Sequence, residues 1–206
     1  DGKIATRTGE SRWITGLESR RYAHKLREES DGVMVGAGTV QKDDPSLTAR
    51  DADDNLLPRQ PLRIVVDSHG RIPPASKLLT DSGKTLVALS DADESVLRRL
   101  LDSGVEVQRF LGPRGLVDLD ELMGYLGKRG VMSLIAEGGG ILLGAMFDAR
   151  LVDKVIAQMA PAILGGRLAP TPVQGDGISR MEDALRLKQV EVHQLGDDVT
   201  IVGYCG

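Results

Sequence analysis

Short apolar runs rich in Val and Ile alternate along the chain with segments of helical period. This alternation is typical of parallel strands covered by their connecting helices. Several runs are apolar at nearly every position, which indicates strands buried on both faces. The predicted strands are 32–36, 62–67, 85–89, 105–110, 133–137, 155–160, 190–195 and 199–204. The pattern therefore predicts an α/β fold with a mostly parallel sheet flanked by helices.

The last two predicted strands differ from the others, because polar and apolar residues alternate more regularly in them. A short turn, Gly196-Asp197-Asp198, joins them. Alternation around a tight turn is typical of an antiparallel hairpin, and we expect this hairpin at the edge of the sheet.

Four helices are predicted between the strands. Thr15 precedes Glu18 by three residues, the spacing of a capping box, and indicates a helix through Glu29. The other three helices are predicted from Asp91 or Asp93 to about Ser103, from Asp118 or Asp120 to Lys128, and from the glycines at 138–140 to just before Leu151. Residues 51–61 and 165–179 are irregular, and we expect surface loops there.

The length of 206 residues suits one α/β domain, which we place at 1–206. The chain opens on Asp1-Gly2-Lys3-Ile4, and we interpret this start as truncated within a longer protein. Lys and Arg number 26 against 30 Asp and Glu, and the basic residues are scattered. Nucleic acid is therefore not an expected partner, because its affinity rests on a basic face that neutralises phosphates.

Cys205 is the one cysteine, so an intramolecular disulfide and a cysteine-based zinc site are excluded. A reducing, cytoplasmic location fits this composition. No apolar run approaches the roughly 18 to 20 residues that cross a bilayer, so no membrane association is expected. His24, His69 and His193 do not have the spacing of metal ligands, and no metal is expected. A hydrolase is disfavoured because no G-x-S-x-G motif occurs.

Residues 137–144, Glu-Gly-Gly-Gly-Ile-Leu-Leu-Gly, lie where a buried strand turns into a helix. Glycines there let a ligand approach the backbone, and the helix N-terminus offers unpaired N–H groups to a phosphate. The segment does not fit the dinucleotide fingerprint or the Walker pattern, since Leu143 and Ala145 stand where Gly and Lys are needed. Tight packing of strand against helix is the alternative interpretation.

The segment 36–50 leaves the carboxyl end of a strand, the edge where ligands collect in open α/β sheets. Its Asp43-Asp44 pair before Pro45 can serve as a general acid or ribose clamp, or can simply form a turn. Trp13 can stack on a cofactor base or pack in the core. Arg27 shares a helix with Arg20 and Arg21 and lies near an apolar stripe.

Taken in order, these segments resemble a known family, the reductase domain of the bifunctional riboflavin-biosynthesis deaminase/reductase. The matching runs are 1–5, 9–15, 36–50 with its Asp-Asp-Pro-x-Leu-Thr core, 62–68, 137–139 and 151–166. They span nearly the whole chain. The deaminase domain of that family needs H-x-E and P-C-x-x-C motifs, so with one cysteine it is not present here.

The resemblance implies a fold like dihydrofolate reductase, NADPH as hydride donor and a homodimer. The implied reaction reduces the ribosyl C1′ of 5-amino-6-(5-phosphoribosylamino)uracil, a phosphorylated pyrimidine, to a ribityl chain. The implied cofactor-contacting positions are Trp13, Thr39, Asp43, Ser68, Gly139, Gly140, Ile141, Leu142, Leu143, Gly144 and Ala145. The implied substrate-contacting positions are Ser11, Arg27, Leu47, Arg50 and Glu137.

No catalytic residue is assigned, because hydride transfer demands chiefly that both reactants be held at near-attack distance. Asp43 and Glu137 are expected to position them. Arg27 and Arg50 suit the substrate 5′-phosphate, and Arg71 suits a cofactor 2′-phosphate. Two alternatives stay open: a stand-alone reductase for the 2,5-diaminopyrimidine relative of this substrate, and a non-catalytic nucleotide-binding module.

Overall fold

Two separate β-sheets organise the chain, and the computed structural model describes all residues, 1–206. In chain order the elements are α1 (Leu17–Glu29), β1 (Gly32–Gly36), α2 (Ala37–Asp43), β2 (Leu62–Val66), α3 (Lys77–Thr80), β3 (Thr85–Leu89), α4 (Glu94–Asp102), β4 (Glu106–Arg109), α5 (Leu119–Lys128), β5 (Leu134–Ala136), α6 (Gly140–Asp148), β6 (Lys154–Met159), β7 (Lys188–Leu195) and β8 (Asp198–Tyr204). All eight predicted strands are present, with ends that differ by at most two residues.

The larger sheet has five parallel strands in the order β4-β3-β2-β1-β5. Successive residues of β1 point to opposite faces, so Val33 and Val35 enter one apolar core while Met34 enters the other. Ile64 of β2 and Leu86 of β3 join the core around Met34. The prediction of a mostly parallel sheet with both faces buried is confirmed, and its carboxyl edge is free to carry a site.

The smaller sheet has three antiparallel strands in the order β6-β8-β7. The predicted hairpin of β7 and β8 is confirmed, but its expected place at the edge of the parallel sheet is wrong. The hairpin instead pairs with β6 along six residues, from the Lys154–Tyr204 pair to the Met159–Val199 pair. β8 pairs with β7 along one edge and with β6 along the other, so these three strands form a separate sheet.

The start of α1 also departs from the sequence expectation, since its N-cap is Gly16 and the capping box of Thr15 does not form. The carboxylate of Asp198 replaces that cap: Oδ2 accepts hydrogen bonds from the Gly16 amide and the Ser19 hydroxyl, each at 2.6 Å. Asp198 and Ser19 are both buried. A partner distant in sequence thus supplies the acceptor that the local sequence was expected to supply.

The remaining helix ends follow local chemistry. Asp118 caps α5, its side chain accepting from the Glu121 amide at 2.9 Å, and Gly104 and Gly130 take positive φ after α4 and α5. Two short helices, α2 and α3, were not predicted. The glycines at the start of α2 weaken any helical pattern in the sequence, and four residues of α3 are too few to show one.

Candidate functional site

A cleft of about 760 Å³ opens at the carboxyl edge of the parallel sheet. Its walls come from α2, from the turn between β5 and α6, and from the loop 168–174 that lies over them. Ser68, just after β2, lies at the base of the cleft. This is the edge at which ligands bind in open α/β sheets, and the volume is within the range of cofactor sites.

The glycine-rich turn between β5 and α6 has a backbone that requires glycine at two positions. Gly138 has φ +109° and Gly139 has φ +81°, and a Cβ on Gly139 would come within 3.1 Å of the Thr39 hydroxyl. Residues 139–143 line the cleft at the first turn of α6. The turn therefore packs closely against Thr39, and it also presents to the cleft the first N–H groups of α6, which have no partner within the helix.

Two glycines of α6 allow the covering loop to pack closely against this helix. A Cβ on Gly140 would overlap the Thr171 carbonyl oxygen, and one on Gly144 would overlap the Gln174 carbonyl oxygen. Gly140 still lines the cleft, whereas Gly144 does not. The structure thus places Gly144, one of the expected cofactor contacts, against the covering loop.

The two carboxylates of the Asp-Asp-Pro turn have different surroundings. Asp43 ends α2 and lines the cleft, where the Ser11 hydroxyl donates to its Oδ1 at 2.7 Å. Asp44 turns away in a left-handed conformation and accepts from the amide of Lys77 at 2.9 Å and the hydroxyl of Ser76 at 3.2 Å. Asp44 thus makes the turn, whereas Asp43 faces the cleft, and its role as a general acid or ribose clamp stays a prediction.

Glu137 enters the cleft directly after β5, backed by Arg27 of α1. The Arg27 guanidinium donates from Nε and one terminal nitrogen to the two Glu137 oxygens, both at 2.6 Å. Its other terminal nitrogen donates to the Thr48 carbonyl at 3.1 Å. Arg27 does not line the cleft. The structure thus places Arg27 behind Glu137, where it fixes the carboxylate rather than reaching into the open space.

The electrostatics around this pair raise the pKa of Arg27 and lower the pKa of His24. Burial lowers the pKa of Arg27, but the hydrogen bond and charge of Glu137 outweigh burial, and the pKa is raised. His24, whose Nδ1 lies 3.0 Å from the Thr48 carbonyl oxygen, has a pKa lowered by burial and then by the charge of Arg27.

Three more expected contacts, besides Gly144 and Arg27, lie outside the cleft. Leu47 is 2% exposed and belongs to the core. Arg50 donates to the Asp54 carbonyl at 2.7 Å and pairs with its carboxylate at 3.6 Å. Trp13 is 70% exposed, and the Arg20 guanidinium lies 4.5 Å from its ring centroid. Thr39, Ser68, Ile141, Leu142, Leu143 and Ala145, by contrast, line the cleft.

The cleft also contains residues that sequence reasoning missed. Leu116, Val117 and Leu119 form part of its lining, and the Val117 amide donates to the Ser68 hydroxyl at 3.1 Å. Lys42 and Arg71 are its basic lining residues. Arg71 was an expected phosphate contact, but Lys42 was overlooked although it directly precedes Asp43 on a short helix.

No group of three or more His, Cys, Asp and Glu side chains is arranged to hold a metal ion. No helix has the length and apolar character to cross a membrane.

Comparison with known proteins places this chain in a family. A family described as "RibD C-terminal domain" matches residues 1–201. The chain is 40% identical to the 2,5-diamino-6-ribosylamino-4(3H)-pyrimidinone 5′-phosphate reductase of Methanothermobacter thermautotrophicus, covering 98% of this chain and 91% of that protein. It is 32% identical to the riboflavin biosynthesis protein RibD of Bacillus amyloliquefaciens over 98% of this chain, but spans only 53% of RibD.

A solved structure agrees. Acinetobacter baumannii RibD superposes with a TM-score of 0.83 at 27% identity, over 100% of this chain and 55% of that chain. The resemblance drawn from the sequence runs is confirmed, together with the dihydrofolate-reductase-like fold that it implied. The chain belongs to the RibD C-terminal domain family.

Proposed function

We propose that this chain is an oxidoreductase of riboflavin biosynthesis that reduces the ribosyl group of a phosphorylated ribosylaminopyrimidine with NADPH. The observation that carries the proposal is the shared cleft, in which Asp43, Glu137 and the first turn of α6 meet at the carboxyl edge of the parallel sheet. The relatives named as reductases of this pathway support the same activity.

The residues at the cleft fit a dinucleotide. Positive φ at Gly138 and Gly139 brings bare backbone to the surface, and the N–H groups that open α6 suit a pyrophosphate. Thr39, Asp43 and Ser68 offer polar contacts to the remainder of the cofactor. Arg71 offers a cation for a 2′-phosphate, which is our reason for proposing NADPH over NADH. When bound, the cofactor supplies the hydride.

The side chains would act chiefly by orientation. Glu137, held in place by Arg27, can accept hydrogen bonds from pyrimidine N–H groups or ribose hydroxyls. Asp43, held by the hydroxyl of Ser11, can accept a hydrogen bond from a hydroxyl group of the bound ligand. Fixing both reactants in near-attack geometry lowers the barrier to hydride transfer. The released ring oxygen of the ribose takes up one proton as the ring opens, and we assign no side chain as its donor.

Two pyrimidines compete as the substrate. The resemblance first favoured the uracil form, and RibD relatives support it. The 40% identity to an archaeal protein named for the 2,5-diaminopyrimidinone substrate, over 91% of its length, favours the second. NADPH oxidation followed by absorbance with each substrate, and with dihydrofolate as control, decides between them. NADPH binding without oxidation in either assay would indicate the non-catalytic nucleotide-binding module instead.

We also propose a homodimer formed through the small sheet. Register places Ala157, Val192 and Ile201 side by side on the face away from α1. Val192 is 64% exposed, and Met159 and Val199 extend the same apolar face. A contiguous apolar surface of this kind marks an interaction site, and a two-fold contact between copies is the commonest way to cover it. Light scattering at micromolar concentration should report twice the chain mass.

A further inference from the structure

A second recess of about 400 Å³ adjoins the cleft. It is lined by the segment 6–9, by Lys42 at the end of α2, and by Leu168 and Pro170 of the covering loop. Gly9, Lys42, Leu168 and Pro170 line the cleft as well. The two spaces are therefore continuous, and one extended ligand can occupy both.

The recess is cationic and contains free donors. Arg7 and Lys42 form no ion pair and no side-chain hydrogen bond, and no acidic residue lines the recess. The hydroxyls of Thr6 and Thr8 add two more polar groups, 3.0 Å apart. The candidate phosphate binders named from the sequence differ, since Arg27 pairs with Glu137, Arg50 with Asp54, and Arg71 with Asp67 at 3.9 Å. An anion entering this recess would meet two unpaired positive charges.

The backbone that carries these groups is fixed by hydrogen bonds. The Thr6 amide donates to the Glu10 carbonyl at 2.9 Å, and the Gly9 amide returns to the Thr6 carbonyl at 3.0 Å. The Ile4 amide ties the segment to Pro170 at 3.1 Å. Lys42 lies in the last turn of α2. Only the two long side chains need to adjust when a ligand arrives, which limits the entropic cost of binding.

We infer that Arg7 and Lys42 bind a phosphate monoester of a ligand lying in the cleft. The inference rests on the proposed function, whose two ligands each carry such a group: the 5′-phosphate of the pyrimidine and the 2′-phosphate of NADPH. Two cations and two hydroxyls match the charge and the acceptor oxygens of a phosphate monoester. These side chains thus set which phosphorylated ligand the cleft accepts.

The test uses Arg7→Gln and Lys42→Gln, singly and together. Arg98→Gln on α4 and Lys128→Gln on α5 are matched controls, because both residues are exposed and lie outside the cleft and the recess. Four quantities are measured for each variant: the dissociation constants of NADPH and NADH, and the KM of the phosphorylated pyrimidine and of its dephosphorylated riboside. Circular dichroism verifies that each variant is folded.

Loss of a charge-assisted contact predicts an increase of about tenfold in one quantity for each single variant. A higher KM for the phosphorylated pyrimidine alone assigns the recess to the 5′-phosphate. A higher dissociation constant for NADPH alone, with NADH unchanged, assigns it to the 2′-phosphate. Values within twofold of the parent for every ligand overturn the inference.

A binding experiment separates this inference from the proposed function. Ribose 5-phosphate and adenosine 2′,5′-bisphosphate are titrated calorimetrically into the parent chain and into the double variant. Weaker binding of either probe to the double variant supports the recess even if neither pyrimidine is reduced. Equal binding of both probes to parent and variant, or no binding to the parent, refutes it whatever the catalytic assay shows.

Discussion

The two sheets of this protein are built from similar apolar residues but are buried differently. In the parallel sheet, β1 and β3 are covered on both faces by helices, and Val33, Met34 and Leu86 are fully buried. In the antiparallel sheet, α1 packs near one face only, and β7 is exposed along nearly its whole length. A valine in a predicted strand therefore does not show by itself whether that position is buried within the folded chain or exposed on its surface.

This difference in burial indicates different roles for the two sheets. The parallel sheet is a rigid base whose carboxyl edge carries Asp43, Glu137 and the glycine-rich turn. The antiparallel sheet lies away from the cleft and presents an apolar face for which the chain itself has no cover. Changes in the first sheet should alter stability and catalysis, and changes in the second should alter association.

The largest expected effect is on stability. Ile64→Ala removes a fully buried side chain from β2 and should lower the free energy of unfolding by about 2–5 kcal/mol. Val192→Ala on exposed β7 should change it by less than about 0.5 kcal/mol at concentrations where the chain is monomeric. Urea denaturation measures both. An equal loss in the free energy of unfolding for the two variants would contradict the difference in burial between the sheets.

Dimer formation should depend on the exposed antiparallel sheet rather than on the buried parallel sheet. Val192→Asp places a carboxylate in the proposed dimer contact and should raise the dimer dissociation constant by about thirtyfold or more. Glu191→Gln, on the opposite face of the same strand, is the control and should leave the dimer intact. Light scattering across a dilution series reports both. A parent chain that is monomeric throughout would reject the interface.

A smaller effect is expected at the edge of the parallel sheet. Arg27→Met removes the partner of Glu137 and should raise the KM of the pyrimidine about tenfold, with the NADPH dissociation constant unchanged. Arg50→Ala should leave both within about twofold, because Arg50 pairs with Asp54 outside the cleft. A tenfold effect from Arg50→Ala instead would support the substrate contact that the family resemblance implied.

The smallest expected effect is a pH dependence at His24. Its pKa is lowered from 6.5 in the folded chain by burial and then by Arg27, so the unfolded chain binds the proton more readily. The neutral form therefore contributes stability that is present above pH 6.5 and declines as the pH falls below it. His24→Gln should flatten the profile of urea stability in that range. A profile with the same slope in the variant as in the parent would contradict this origin.

Sequence reasoning was most accurate where local pattern determines structure. The runs of Val and Ile located the inner strands β1, β2 and β3 because burial on both faces leaves few polar positions in them. Gly104 and Gly130 marked helix ends because only glycine takes positive φ at low cost. The same physics identified the turn at 138–140, where positive φ and the close approach of Thr39 agree with the packing interpretation. Phosphate binding at this turn stays a prediction.

Features set by distant partners could not be predicted in this way. Arg27 and Glu137 are 110 residues apart, so the sequence suggested two separate substrate contacts where the structure has one ion pair. The cap of α1 comes from Asp198, and the Thr15 pattern gave no sign of it. The recess around Arg7 and Lys42 is formed by three stretches that are distant in sequence, namely residues 6–9, Lys42 and the covering loop at Leu168 and Pro170.

The carboxylate that caps α1 also constrains how the protein can be made. Asp198 lies 182 residues after Gly16 and 179 after Ser19, so the first turn of α1 gains its buried partners only when nearly all of the chain is present. On the ribosome, where segments emerge from the N-terminus onward, the first turn of α1 gains this cap only after β8 has emerged. Because α1 also carries Arg27, we expect the contact between Arg27 and Glu137 to become fully ordered only once Asp198 is in place.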